Sequence, residues 1–345
     1  MLVTALVTPF REGGALVNGS LLQELIAFQL AEGAHQVLLA GTTGEGAALS
    51  EEERGQLLDA ALEVAEPRQL MVALGFGRLP DVIERGQDAL ARGVRDLLLV
   101  DCPYSGASSA GLREHWHGAV AAALPEARLL PYAIPQRTGT ELLPDDLARL
   151  VEDHPNVIGV KDATGRLARM LRVRELCGPD FHLLCGEDSQ LRDAMLDPNI
   201  RADGAVSVAS HLAPRSVRDL VEACRRGDAT HARELHDALL PLFQLVTFHS
   251  SEALRVGEQQ LQVPQRLKNP VPLKACLEHL GVAVGTCRAP LSAVNAKVRA
   301  QLEAILDDVF VAHRNVLAPL HESFGAAGDR RVATSGGAAM FSQAS

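Results

Sequence analysis

Apolar residues along this chain gather into short unbroken runs instead of strict alternation. The runs are Leu2–Val7, Gln36–Ala40, Gln69–Leu74, Asp96–Val100, Arg128–Ala133, Val157–Val160, His182–Cys185 and Gly204–Val208. Near-continuous apolar segments of this kind suit parallel strands covered on both faces. Amphipathic stretches lie between them. Ser20 precedes Leu21-Leu22-Gln23 and Ser50 precedes Glu51-Glu52-Glu53, each reading as a capping box. Pro80-Asp81 and Pro144-Asp145 place a proline and an acid in a first helical turn. Gly33, Gly93 and Gly227 fall where helices should stop. Eight strand-then-helix units predict an α/β fold, a (β/α)8 TIM barrel, over residues 1–227. A doubly wound sheet is the alternative. It needs a glycine-rich phosphate loop after the first strand, where Thr8-Pro9-Phe10 stands instead.

The strand-like runs stop near residue 228. Asp228–Phe248, Pro272–Leu280, Leu291–Leu306 and Asp308–Ser323 read as helices, with Gln259–Asn269 as a polar connector. Residues 228–315 are therefore expected to form a C-terminal helical appendage packed on the barrel. Residues 316–345 are expected to be a flexible tail, because from Gly325 onward there is little to bury.

Composition narrows the class of partner. Of the 345 residues, 47% are hydrophobic and 22% charged, as in an ordinary soluble globular protein. A formal charge of −10 argues against nucleic acid or an anionic membrane as partner. No apolar stretch reaches membrane-spanning length. Cys102, Cys177, Cys185, Cys224, Cys276 and Cys287 form no C-x-x-C pair and no zinc spacing, so neither metal nor disulfide is expected. The chain opens directly on a strand with no exported leader, and a cytoplasmic location follows as the expectation.

In such a barrel, chemistry belongs at the C-terminal strand ends. Lys161 ends the sixth apolar run, where lost hydration favours its neutral, nucleophilic amine. Val157, Gly159 and Lys161 alternate to one side, and Gly159 is expected to leave room for the lysine stem. Gly41-Thr42-Thr43-Gly44-Glu45 follows the second run and offers backbone amides and hydroxyls to an anion. Tyr132 ends the fifth run, and a phenol near a lysine can relay a proton. Arg137 follows it, suited to gripping a carboxylate. Singly, each has a plainer role: a solvated strand-end lysine, a common turn, a core tyrosine, a surface ion pair.

Together, these residues carry a resemblance. Gly41 to Glu45, Tyr132-Ala133-Ile134-Pro135-Gln136-Arg137-Thr138-Gly139 and Val157 to Gly165 stand in family order with family-like spacing. So do Cys185-Gly186-Glu187-Asp188, Gly204-Ala205-Val206-Ser207-Val208 and Asn269-Pro270-Val271-Pro272-Leu273-Lys274. Over about residues 1 to 310 the chain resembles the dihydrodipicolinate synthase and N-acetylneuraminate lyase family of pyruvate-dependent class I aldolases. The resemblance implies that Lys161 forms a Schiff base with pyruvate and Tyr132 relays protons. It implies that Thr42 links Tyr132 to a second tyrosine and that Thr43 clamps the pyruvate carboxylate. The Val206 carbonyl would face the pyruvyl group, and Gly186 joins the substrate-binding residues.

Arg137 in this context is similar to the synthase branch, where it would hold the carboxylate of aspartate semialdehyde. The implied activity is condensation of pyruvate with L-aspartate 4-semialdehyde to 4-hydroxy-tetrahydrodipicolinate, in lysine and diaminopimelate biosynthesis, without a cofactor. The alternatives are a sister aldolase or dehydratase acting on 4-hydroxy-2-oxoglutarate or a keto-deoxy sugar acid, and a non-enzymatic keto-acid-binding paralogue. A homotetramer or homodimer is implied, with a tyrosine crossing the interface. Here the segment Cys102-Pro103-Tyr104-Ser105-Gly106 holds one tyrosine where synthases carry two. Either Tyr104 takes the relay role or Ser105 replaces it. The family's lysine-inhibition site uses polar residues in these places, and the stretches Gly46-Ala47-Ala48 and Gly77-Arg78-Leu79-Pro80 lack the usual asparagine, so weak or absent inhibition by lysine is expected.

Overall fold

The computed structural model describes residues 1–325. Eight parallel strands close into a barrel. They are β1 (Leu2–Ala5), β2 (Gln36–Leu39), β3 (Leu70–Leu74), β4 (Asp96–Val100), β5 (Arg128–Ala133), β6 (Gly159–Asp162), β7 (His182–Cys185) and β8 (Gly204–Ser207). Closure comes from β1, which pairs with both β2 and β8. Three strands have the bounds expected from their apolar runs. β6 differs most: it starts two residues late, because Val157 makes only a single bridge to Leu129. The shift places Lys161 within the strand instead of just beyond it.

Small and aliphatic side chains such as Val3, Ala5, Leu98 and Leu184 fill the barrel interior, with Tyr132 near its top. A second, larger core lies between strands and helices, built mainly from Leu, Val and Ala. The covering helices are α1 (Gly19–Ala31), α2 (Glu51–Leu62), α3 (Leu79–Ala91), α4 (helical over 109–123), α5 (Pro144–Asp153), α6 (Leu167–Cys177), α7 (Leu191–Leu196) and α8 (Pro214–Arg225). Ser50 and Glu53 close a reciprocal capping box on α2. On α1 the cap is Asn18 instead of Ser20: its Oδ1 accepts from the Leu21 amide and from the Ser20 hydroxyl. Gly33, Gly93 and Gly227 end their helices with φ of 102°, 87° and 71°, a region that favours glycine.

The C-terminal part departs from expectation. Helix α9 (Ala229–Gln244), capped by Asp228, stops before Phe248. A long antiparallel hairpin follows, β9 (Thr247–Val256) and β10 (Gln259–Lys268), where a helix end and a polar connector were expected. Its two-residue loop, Gly257-Glu258, puts glycine at φ 59°. That loop between β-prone residues is a hairpin signal, outweighed in the sequence by the polarity of the two strands. Helices α10 (Val271–His279), α11 (Ala296–Ala312) and α12 (Arg314–Leu320) complete the described chain. Helix α11 starts later than expected, where the Asn295 side chain caps the Val298 amide. The tail expected from residue 316 is helical through Leu320. Val316, Leu317 and Leu320 are buried, and Phe324 packs edge-on against Phe28 at 5.4 Å. The remainder of that expected tail, 326–345, lies outside the described residues.

One buried histidine ties the loop after β1 to the turn after β8. His211 has no solvent exposure, and its Nε2 accepts from the Val7 amide at 2.9 Å. Burial pushes its pKa down to about 3. The unfolded chain would take this proton below about pH 6.5. The neutral ring therefore stabilises the fold fully above that pH, and the contribution is lost as pH falls toward 3. Between about pH 7.5 and about pH 5, the native protein should lose about 2 kcal/mol more stability than His211→Gln. Urea midpoints that fall in parallel for the two proteins would contradict this.

Candidate active site

A cavity of about 130 Å³ opens at the C-terminal ends of the strands. Thr42, Thr43, Tyr132, Arg137, Lys161 and Gly186 all line it, joined by the base of the β9–β10 hairpin. Larger hollows lie between α2 and α3 and at the opposite end of the barrel. Neither of those contains a lysine.

Lys161 is the third residue of β6, so strand alternation turns it inward with Gly159. It is 4% exposed. Tyr132 of β5 is its register partner, and the lysine Nζ sits 4.1 Å from the phenol ring centre. No described residue forms an ion pair with that amine, which leaves it available to a ligand. Space for its stem comes from Gly186, not Gly159. A Cβ at 186 would meet Lys161 Cε at 2.9 Å and Ala163 Cβ at 2.8 Å. A Cβ at 159 would instead meet the His182 carbonyl at 2.5 Å, so Gly159 serves the fit of β6 against β7.

The loop after β2 is held from below. Gly46 lies so near Ala40 that a Cβ would stand 1.9 Å from its carbonyl oxygen. Glu45 adopts a left-handed φ of 53° and turns its carboxylate away from the cavity. There it pairs with Lys274 of α10 at 2.6 Å and accepts from the Arg288 amide at 2.8 Å. Both members of the ion pair are buried. Removing one partner of such a pair costs about 3–5 kcal/mol, because the other charge is left stranded. Glu45 thus anchors the loop and leaves Thr42 and Thr43 to face the cavity.

Thr43 is buried, and its hydroxyl accepts from Asn269 Nδ2 at 2.8 Å. The hydroxyl proton remains free to donate. Thr42 is half-buried and shares the cavity wall, but no hydrogen bond joins it to Tyr132. Arg137 sits in the turn Pro135–Thr138 and donates through Nη2 to the Asn269 carbonyl at 2.7 Å. Burial, aided by Arg266 and opposed by Tyr132, lowers the pKa of its guanidinium. Asn269 therefore links both expected carboxylate-binding residues. The sequence reading quoted its motif without giving it a role.

Val206 is buried inside the barrel beneath the cavity, whose wall at β8 is Val208. Glu187 lines the cavity; burial and then the adjacent Asp188 hold its carboxyl above the usual range. Asp188 accepts from the Val208 and Ala209 amides at 3.0 and 2.8 Å, fixing the turn after β8. Tyr104 is not in this cluster: it is wholly exposed, with φ 62°. Ser105 is turned back onto the Cys102 carbonyl at 3.2 Å. Neither reaches the Lys161 cavity of its own chain. Arg266 and Lys268 do reach it, and the expectation of a connector there concealed them. Of the neighbouring His115-Trp116-His117, Trp116 donates to the Val100 carbonyl and His117 pairs with Asp101, so both serve packing.

A closed parallel barrel with a desolvated lysine over a phenol is built for imine chemistry on a carbonyl substrate. Residues 1–309 match the dihydrodipicolinate synthetase family. The chain is 34% identical over 305 residues to a Nostoc 4-hydroxy-tetrahydrodipicolinate synthase, covering 88% of this chain and 96% of that one. A Synechococcus enzyme of the same name is 36% identical over 301 residues, covering 87% and 92%. Among solved structures, the lysine-bound dihydrodipicolinate synthase of Cyanidioschyzon merolae superposes with a TM-score of 0.79 at 28% identity, covering 89% and 97%. The pyruvate complex of the Acinetobacter baumannii enzyme gives 0.77 at 28%, with the same coverage. The chain belongs to the dihydrodipicolinate synthetase family.

Gly186→Ala should fold but displace the lysine stem. Pyruvate-dependent borohydride labelling of Lys161 should then fall at least tenfold, by analogy with the loss that small misplacements cause at reacting centres. Wild-type labelling by a folded variant would refute the role given to Gly186.

Proposed function

We propose that this protein is a 4-hydroxy-tetrahydrodipicolinate synthase, condensing pyruvate with L-aspartate 4-semialdehyde. The observation that carries the reading is the unpartnered Lys161 amine against the Tyr132 ring, with Arg137 at the mouth of the same cavity. Lys161 attacks the pyruvate ketone carbon, and water leaves to give an imine. A methyl proton is then lost, giving an enamine whose terminal carbon is nucleophilic. That carbon attacks the aldehyde, and the aldehyde oxygen takes a proton to become a hydroxyl. The substrate's own amine next attacks the imine carbon, and Lys161 departs as a free amine. Tyr132, 4.1 Å from Lys161 at its ring centre, is the group placed to carry these protons.

In this reading Thr43 donates to the pyruvate carboxylate, its acceptor side already occupied by Asn269. Gly186 and the strand bearing Val206 shape the floor, and Arg137 holds the aldehyde's carboxylate. Thr42 and Tyr104 would complete a proton relay only if Tyr104 came from a second copy. Its full exposure fits that role, and a homodimer or homotetramer working in the cytoplasm is part of the proposal.

Two measurements test the chemistry. Pyruvate with borohydride should add one pyruvyl mass to Lys161, and Lys161→Ala should stay folded while activity falls by about a thousandfold or more. A labelled site elsewhere, or an active alanine variant, would defeat the mechanism. In a coupled assay, aspartate semialdehyde should be consumed in preference to glyoxylate or sugar aldehydes. The single tyrosine in the 102–106 loop favours a sister aldolase, and preference for another aldehyde would establish it. Lysine should leave activity unchanged below millimolar concentration, since Gly46, Ala47 and Ala48 offer no side-chain acceptor. Inhibition in that range would overturn this part.

A further inference from the structure

Two cations that none of the chemistry above uses stand at the cavity mouth. Arg266 and Lys268 lie near the end of β10, opposite His249 and Thr247 of β9. Strand alternation puts 266 and 268 on one face, and that face meets the cavity, with Thr247 beside them. Leu267, between them, turns the other way and packs against the main core. The base of the hairpin is fixed: the Asn269 amide donates to the Val246 carbonyl at 2.8 Å. Asn269 is itself bound to Thr43 and Arg137. Lys268 is thus one residue from the hub of the site.

From Arg137, Arg266 and Lys268 we infer an anion-binding mouth in which the hairpin residues select the electrophile by its carboxylate. The inference rests on the reading given under Proposed function and extends it to residues outside the expected motifs.

The charge pattern supports it. The chain carries 43 acidic against 33 basic residues. Glu187 lines the same cavity but forms no ion pair with Arg137, Arg266 or Lys268, so a cluster of cations without an ion-pair partner among the described residues runs against the prevailing sign. Burial, then Arg137 and Arg266, lowers the pKa of the Lys268 ammonium. The hairpin's own acids do not relieve this. Glu252 accepts from Gln265 at 3.1 Å, and Glu258 sits in the distal loop. Like charges so gathered repel one another, and an incoming carboxylate removes the repulsion. Pyruvate's carboxylate belongs deeper, beside Thr43, so the mouth is left for the second substrate. Its carboxylate facing the three cations would send its amine inward, where ring closure needs it. Open cations at an otherwise acidic surface would also draw anions in from solution.

Aspartate semialdehyde is titrated into enzyme whose pyruvyl imine has been reduced with borohydride, so that binding is read without turnover. R266Q/K268Q should bind at least tenfold more weakly, while R266K/K268R stays within about threefold of wild type. Labelling of Lys161 by pyruvate should be unchanged in both. R255Q, a charge loss near the far end of the hairpin, should bind as wild type does. Equal binding by wild type and R266Q/K268Q overturns the inference, and so does an equal loss in R255Q. Variant-sensitive binding with no turnover by wild type would sink the synthase reading and leave the anion mouth standing.

Discussion

A lysine amine buried without an ion-pair partner among the described residues must be held by its surroundings, and the proposed site is arranged around that constraint. Lys161 meets it by lying in a strand inside a closed ring, where neighbouring backbones are saturated by the ladder and offer it nothing. The cost of burying an ammonium is large enough that most lysines avoid it. Here the Tyr132 ring lies against it, with the amine 4.1 Å from the ring centre. Gly186 sets the clearance. The barrel supplies rigidity, since β5, β6 and β7 hold Tyr132, Lys161 and Leu184, two residues before Gly186, in one register.

The groups proposed to bind substrate hang from a second system. The loop carrying Thr42 and Thr43 is tied through Glu45 to Lys274, and through Thr43 to Asn269. Asn269 also receives Arg137. Both ties run to the start of α10, so the C-terminal part, though outside the ring of strands, sets where a carboxylate can rest. Phe10 lies between the Lys274 ammonium and the Arg288 guanidinium, 4.2 and 4.4 Å from its ring centre, which braces the same junction. Loosening α10 would move Thr42 and Thr43 while leaving the lysine in place.

How much could be read beforehand follows from this division. Buried parallel strands announce themselves by unbroken apolar runs, so the barrel and the position of Lys161 were legible to within two residues. Resemblance added Tyr132, Thr43 and Arg137 with roles that periodicity alone left open. Contacts between distant segments were not legible: nothing local to Glu45 says that its partner is Lys274, and nothing local to Gly159 says that it serves His182. The hairpin was missed because both its strands are mostly exposed, with Leu254 and Val256 about half accessible. An exposed ladder lacks the apolar continuity that marked the barrel, and polarity then reads as a connector. Tyr104 shows a different limit. Its motif position suggested a catalytic role, yet one chain places it in solvent, so that role needs a second chain.

The hairpin's placement also bears on how this site could be tuned. Strand β10 runs into Asn269 without a linker, so any side chain on its inward face is delivered at fixed depth over the cavity. Alternation makes every second residue available and sends the intervening ones outward or onto the core. Substitutions at 266 and 268 would therefore change the charge at the cavity mouth without touching the register of β6 or the clearance around Lys161. In the proposed reading Lys161 and Tyr132 are carried by barrel strands, and Arg266 and Lys268 by the separate hairpin that runs into Asn269. Under that reading, changes on the hairpin's inward face alter the cavity mouth while Lys161, Tyr132 and Thr43 stay where the barrel and its loops put them.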